Sequence, residues 1–361
     1  MQSNTRIAVV GFGLVGKRHA ETLRRIPELE LAAIVEPDPA GRAQAIKLGA
    51  PCFATLEEMF ASDTVDGVIL ATPTPLHVEQ GLTCINQGCP VLIEKPISVS
   101  SKEALKLTQA ASRKGVPLLV GHHRRHNGMV RAAKAAIDEG VIGTLRAVQA
   151  TCWFYKPGYY FEAAPWRTKK GAGPISVNLV HDVDLLRHFC GEVASVQAHS
   201  VPSMRGFENE DLAAAILTFQ SGAIATISVS DSIAAPWSWE LTAGENPSYP
   251  ATLESCYLIG GSKGALSVPD LRVWHHDGEP DWWNPIAAKT LITEAGDPLA
   301  IQAIQFAAVI QGEQKPVVSG LEGARSLQVV EAIQKSADSK KPINISPLED
   351  VLVVDEAPST E

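Results

Sequence analysis

Arg6-Ile7-Ala8-Val9-Val10-Gly11-Phe12-Gly13-Leu14-Val15-Gly16 is the stretch on which the reading of this chain turns. A run suited to a strand covered on both faces leads directly into G-x-G-x-x-G, and an amphipathic segment from Leu14 to Ile26 follows. In that setting Gly11 permits the tight turn, Gly13 lets the backbone approach a pyrophosphate, and Gly16 allows close packing of helix on strand. The helix N-terminus adds free N–H groups and a partial positive charge. Phe12, Leu14 and Val15 supply the backbone between the glycines. Glu36 ends the next apolar run, about twenty residues after Gly16, where a carboxylate accepts from adenosine ribose hydroxyls and repels a 2′-phosphate. Strand, loop, helix and acid together predict a dinucleotide site with NAD as cofactor. NADP stays open, because Arg42 is near enough in sequence to offset the acid.

Outward from this turn, β-branched runs alternate with longer amphipathic segments through residue 125. The spacing predicts strands at Arg6 to Val10, Leu31 to Glu36, Gly67 to Ala71, Pro90 to Glu94 and Pro117 to Gly121. Helices are expected at Leu14 to Ile26, Ala40 to Leu48, Leu76 to Gln87 and Lys102 to Arg113, with Ser100 or Ser101 as an N-cap and Gly88 and Gly115 past C-termini. This is the pattern of βαβ units feeding a parallel sheet. After about residue 145 the texture changes to alternating segments such as 213–219 and 223–230, separated by turn-rich pieces, which reads as a mainly antiparallel sheet. Helices return at Leu299 to Gln311 and Leu321 to Ser336. The expected division is a dinucleotide-binding domain over 1–125 and a substrate-binding and oligomerisation domain over 126–345, whose final helices pack back on the first, with an acidic tail over 346–361.

Composition sets bounds. The chain has 361 residues, 45% of them hydrophobic, enough for two cores. A formal charge of -9 with acids and bases interspersed gives no footprint for nucleic acid. No run approaches the ~20 apolar residues that cross a bilayer, and no basic region precedes the first apolar stretch, so a soluble cytoplasmic protein is expected. The six cysteines are scattered without a C-x-x-C pair and read as buried thiols. His122, His123 and His126 lack acidic or cysteine companions at ligand spacing, so no metal is expected.

Two further motifs stand at strand ends. Ala71-Thr72-Pro73-Thr74-Pro75-Leu76-His77 leaves one strand and opens a helix on the edge where such sheets bind ligands, although His77 reads equally as a helix-face histidine with no role. Glu94-Lys95-Pro96 ends another strand, a place where a lysine can hold a substrate hydroxyl and help to receive its proton. The plainer alternative is a surface lysine beside a turn proline.

The glycine turn, the Ala71-Thr72-Pro73 stretch with His77, and Glu94-Lys95-Pro96, together with 120–125, Pro165-Trp166-Arg167, the segment 171–184 and the ending 297–336, resemble the Gfo/Idh/MocA family. The resemblance spans nearly the whole chain. It implies an α/β protein, with an N-terminal Rossmann domain and a C-terminal α+β domain whose large open sheet makes a homodimer or homotetramer, and with substrate in the cleft. It implies that Lys95 is the catalytic lysine, that His181 matches the histidine of the family's D-x-x-x-H acid/base arrangement, and that Thr72, Pro73, His77, Glu94, Lys95, Trp166 and Arg167 join the glycine turn in holding the cofactor. Arg124, Tyr155, Asn178, Lys95 and His181 are the implied substrate contacts. The sequence departs from the pattern at Val177, which stands where the family has Asp; Asn178, three before His181, can approach a substrate hydroxyl but cannot ionise.

The expected activity is therefore hydride transfer between NAD(P) and a secondary alcohol of a small polar substrate such as a sugar, sugar acid or cyclitol. The aromatic and basic residues from Trp153 to Lys170 suit such a ring. Two other readings stay open at this point: a dehydrogenase of a carboxylated aromatic cis-dihydrodiol, and a non-catalytic dinucleotide-binding regulator.

Overall fold

Residues 4–62 and 65–348 are described by the structure, a computed structural model. The described residues divide into two compact units, one falling within 4–126 and 296–327, the other within 127–295 and 328–348.

The first unit opens with β1 (Thr5–Val10), α1 (Leu14–Leu23), β2 (Leu29–Val35), α2 (Pro39–Ala45), β3 (Cys52–Phe53), α3 (Leu56–Ser62), β4 (Gly67–Leu70), α4 (His77–Asn86), β5 (Val91–Ile93), α5 (Ser101–Lys114) and β6 (Leu118–Val120). The strands form a parallel sheet in the order β3-β2-β1-β4-β5-β6. Nearly every residue of β1, β4 and β5 is buried, which explains their unbroken Val/Ile/Leu character: both faces are covered, so no position is left for a polar residue. The α5 start follows its sequence signals, with Ser100 Oγ accepting from Glu103 N–H at 3.3 Å and Gly115 left-handed at φ 66. The strand order reverses between β1 and β4, and this opens the carboxyl edge of the sheet at the glycine turn.

The second unit contains α6 (Gly128–Asp138), β7 (Leu145–Trp153), α7 (Gly158–Glu162), α8 (Pro174–Val177), α9 (Leu179–Cys190), β8 (Val193–Pro202), β9 (Glu210–Phe219), β10 (Ile224–Ser230), α10 (Trp239–Thr242), β11 (Tyr257–Gly261), β12 (Gly264–Val268), β13 (Arg272–His275) and β14 (Ala287–Thr290). Its nine-stranded sheet runs β14-β13-β12-β11-β7-β10-β9-β8-β15, where β15 is Ile343–Asn344. Every pairing is antiparallel except β7 with β10. Alternation does what period-two patterning predicts: Ala213, Ala215 and Leu217 face a core shared with α9, whereas Ile216 on the same strand is exposed.

Of the late helices, α11 (Pro298–Ile310) belongs to the first unit, where Ala303, Phe306, Ala307 and Val309 join the core around Ile7, Ile34 and Ile69. Gly67 lets it approach: a Cβ there would meet Ile310 at 2.5 Å and Phe306 at 2.9 Å. The unit boundary falls inside α12 (Gly320–Ser339), after Leu327. Of the acidic tail expected over 346–361, residues 349–361 lie outside the described residues. Among the described residues no helix is long and apolar enough to cross a membrane.

Candidate active site

The carboxyl edge of the parallel sheet gathers most of the residues singled out by motif. Gly11 leaves β1 at φ 86, a region open to glycine, and a Cβ on it would stand 2.8 Å from the Ala71 carbonyl oxygen. A Cβ on Gly16 would overlap the Gly11 carbonyl, so this glycine serves the fit of α1 against the turn itself. Gly13 differs from both: its Cβ would meet nothing within 4 Å. It is the N-cap of α1, no side chain caps the helix, and the first turn holds no acid. The N–H groups of Leu14, Val15 and Gly16 thus head a helix start with no side-chain cap and no acid in its own first turn, and Leu14 is exposed.

Glu36 lies beside this turn. Its Oε2 accepts from Phe12 N–H at 2.8 Å and its Oε1 from Asp38 N–H at 2.9 Å, which fixes the carboxylate where the motif requires one and leaves each oxygen a further lone pair. Arg42 Nη1 donates to the Glu36 and Pro37 carbonyls at 2.7 Å each. An open glycine cradle, an uncapped helix start and a fixed carboxylate fit a diphosphate-bridged dinucleotide.

Thr72 Oγ1 donates to Gln80 Oε1 at 2.6 Å. His77 is buried, with Nδ1 2.9 Å from the Pro96 carbonyl and Nε2 2.8 Å from the Thr72 carbonyl. The imidazole therefore braces the turn after β4 against the turn after β5. Burial pushes its pKa down, while the Thr72 and Pro96 carbonyls and the Glu94 charge pull the other way.

Glu94 turns inward at the end of β5. Its Oε1 lies 2.8 Å from Nε2 of buried His19 on α1, and its Oε2 accepts from Lys95 N–H at 3.2 Å. Burial by itself would raise this carboxyl; the hydrogen bond and charge of His19, with the charges of His123 and Lys95, reverse that and hold it down at about 2. Arg124 is buried on the turn after β6, and its neighbour Arg125 pairs with Glu322 at 3.1 Å.

In the second unit, His181 is half-buried on the first turn of α9, and Asn178 stands at the junction of α8 and α9 with near-helical torsions. Asn178 Oδ1 accepts from Lys156 Nζ at 2.7 Å. Lys156 is itself buried, 3.6 Å from Asp231 Oδ2, and Arg205 donates to Asp231 Oδ1 at 2.7 Å. Burial lowers the Lys156 pKa, with Asp231 working against it. Asp182 beside His181 accepts from the fully buried Tyr257 hydroxyl, which commits that acid to the core. Tyr155 and Trp166 are exposed; Arg167 stacks 4.0 Å over the Tyr160 ring and donates to the Tyr160 carbonyl at 2.6 Å.

Sequence reasoning missed two arrangements. Nothing in the spacing ties His19 to Glu94, because their meeting depends on α1 crossing the sheet. Lys156 reads from sequence as one of many polar-ligand groups; its burial against Asp231 and Asn178 shows only in three dimensions.

Residues 5–122 match the family described as "Oxidoreductase family, NAD-binding Rossmann fold", and residues 130–267 match the "GFO/IDH/MocA C-terminal domain". The chain is 31% identical over 234 residues to 4-carboxy-2-hydroxymuconate-6-semialdehyde dehydrogenase of a Sphingobium species, covering 62% of this chain and 71% of that protein. It is 25% identical to the NAD(+)-dependent scyllo-inositol 2-dehydrogenase of Bacillus subtilis, covering 96% of this chain and 97% of the relative. Among solved structures it is similar to the WlbA dehydrogenase of Bordetella pertussis in complex with NADH and UDP-GlcNAcA, with TM-score 0.76, 28% identity, and 95% and 99% of the two chains covered.

Proposed function

The chain belongs to the Gfo/Idh/MocA family of oxidoreductases, and from that membership we propose that it is an NAD(P)-dependent dehydrogenase oxidising or reducing a secondary alcohol carbon of a small polar substrate such as a sugar, sugar acid or cyclitol. The observation that carries the reading is the carboxyl edge of the first unit. There the open Gly13 cradle and the fixed Glu36 carboxylate share one sheet edge with the β5 end that carries Lys95. The relatives named for inositol and UDP-sugar-acid chemistry support the substrate class.

The bound nicotinamide supplies the hydride chemistry. Gly11 to Gly16 hold the diphosphate and Glu36 the adenosine ribose. Glu36 disfavours a 2′-phosphate, so NAD is the preferred cofactor. Thr72, Pro73 and His77 shape the turn after β4; the main chain at Glu94 and Lys95, with Trp166 and Arg167, completes the cofactor contacts, the Glu94 carboxylate being turned inward onto His19. Lys95 holds the substrate oxygen by hydrogen bonding, and His181 exchanges the hydroxyl proton. Asn178, its carbonyl oxygen occupied by Lys156, offers the substrate its amide N–H groups, with Arg124 and Tyr155 as further contacts. Retention of Lys95 and His181 favours catalysis over a purely regulatory role. A cytoplasmic homo-oligomer joined through the C-terminal sheet completes the reading; the exposed Ile216, Ile224 and Leu258 on its open face support that contact.

Lys95→Ala tests the assignment. Turnover should fall by about 10²-fold or more, the usual worth of a positioned acid/base group, with NAD affinity little changed. Turnover preserved alongside lost NAD affinity would contradict it.

A further inference from the structure

The Glu94 carboxylate has no part in the reaction just described, yet three elements are shaped around it. His19 reaches it from α1, the Lys95 amide N–H reaches it from the end of β5, and Gly121 makes room at the end of β6. A Cβ at 121 would stand 3.0 Å from both the carboxyl carbon and Oε1, and 3.1 Å from Oε2. Such a cavity would be filled more cheaply by an apolar side chain, since an ion pair in the interior rarely outdoes a well-packed hydrophobe. What an apolar residue cannot do is accept the Lys95 N–H and set a negative charge whose field reaches the Lys95 ammonium.

We propose that the His19–Glu94 pair is a positioning device for Lys95: Glu94 fixes the backbone from which the lysine projects and favours its charged, hydrogen-bond-donating form, and His19 locks that carboxylate to the helix that carries the glycine turn. The proposal rests on the reading of Lys95 as the catalytic lysine. Around the carboxylate the titratable groups are His19 from α1, His77 from α4, His123 from the turn after β6, and Lys95 itself. Held at about 2, Glu94 is ionised throughout the range in which a dehydrogenase works, and the attraction by which Lys95 keeps the proton off Glu94 acts equally to keep a proton on Lys95.

The test uses the full chain and the variants Glu94→Gln, His19→Leu and His19→Gln, the last keeping a neutral N–H donor of similar reach. Competitive acylation with acetic anhydride across pH, read by peptide mass spectrometry in the protein without cofactor, reports when Lys95 loses its proton. In Glu94→Gln that point should move to lower pH. Turnover should fall on the order of tenfold or more while the NAD dissociation constant stays within about threefold, and His19→Gln should recover most of what His19→Leu loses. If Glu94→Gln does not fold, Glu94→Asp, which draws the charge back by one methylene, should give a smaller shift of the same sign. An acylation curve for Lys95 that overlays the wild type in the Glu94 variant, or His19→Gln no better than His19→Leu, overturns the proposal. Full turnover in Lys95→Ala would instead sink the reading on which it rests, and the acylation curve is independent of that outcome.

Discussion

At the scale of single residues, the glycines of the turn separate into two kinds that the motif does not distinguish. Gly16 has the Gly11 carbonyl where its Cβ would go, so Gly16→Ala should strain the fold by on the order of 2 kcal/mol and lower the melting temperature. Gly13 has only open space there and an ordinary φ of -70, so Gly13→Ala should change stability by less than about 1 kcal/mol. The new methyl would instead stand in the volume assigned to the diphosphate. NAD affinity should drop by about tenfold or more, the equivalent of ~1.4 kcal/mol. Paired melting and binding titrations check both statements; equal loss of stability in the two variants would show that the Gly13 space is structural. The residue scale is also where sequence reading was strongest and weakest. The turn geometry of Gly11 to Gly16 and the place of Glu36 beside it were legible because both are set by local backbone and by one strand-to-strand spacing. His19, Glu94 and Lys156 meet partners from other elements, and no local pattern announces such meetings.

At the scale of elements, the buried strands β1, β4 and β5 and the capped helix α5 were legible because burial on both faces and N-cap chemistry each leave a composition signal. The two-residue β3 and the short α3 carry too few residues for a period to show. The parallel pairing of β7 with β10 was illegible for another reason: an alternating strand looks the same from sequence whichever direction its neighbour runs. The open face of the nine-stranded sheet, with Ile216, Ile224 and Leu258 exposed and a depression of about 640 Å³ lined by Trp153, Gln197 and Trp237, carries the prediction at this scale. Leu258→Glu sets a charge on that face without touching the core. Light scattering should show the proposed oligomer reduced to smaller species with turnover per folded chain retained or lowered; an unchanged assembly would place the contact elsewhere.

At the scale of the whole molecule, the chain order of elements and their grouping into units part company. Residues 296–327 follow the second unit in sequence but belong to the first, where α11 supplies Phe306 and Ala303 to the core of the parallel sheet. The family's combination of a dinucleotide-binding sheet and a larger, mostly antiparallel one is the frame for the proposed roles, with Lys95 carried by the first unit and His181 by the second. The most direct measurement is a screen of cyclitols, aldoses, sugar acids and carboxylated ring diols with NAD and NADP, read as nicotinamide absorbance. The account predicts substrate-dependent reduction of NAD in preference to NADP by a hydroxyl-bearing sugar, sugar acid or cyclitol, lost in Lys95→Ala. Absence of binding to either dinucleotide, or reduction that persists undiminished without the Lys95 ammonium, would contradict it.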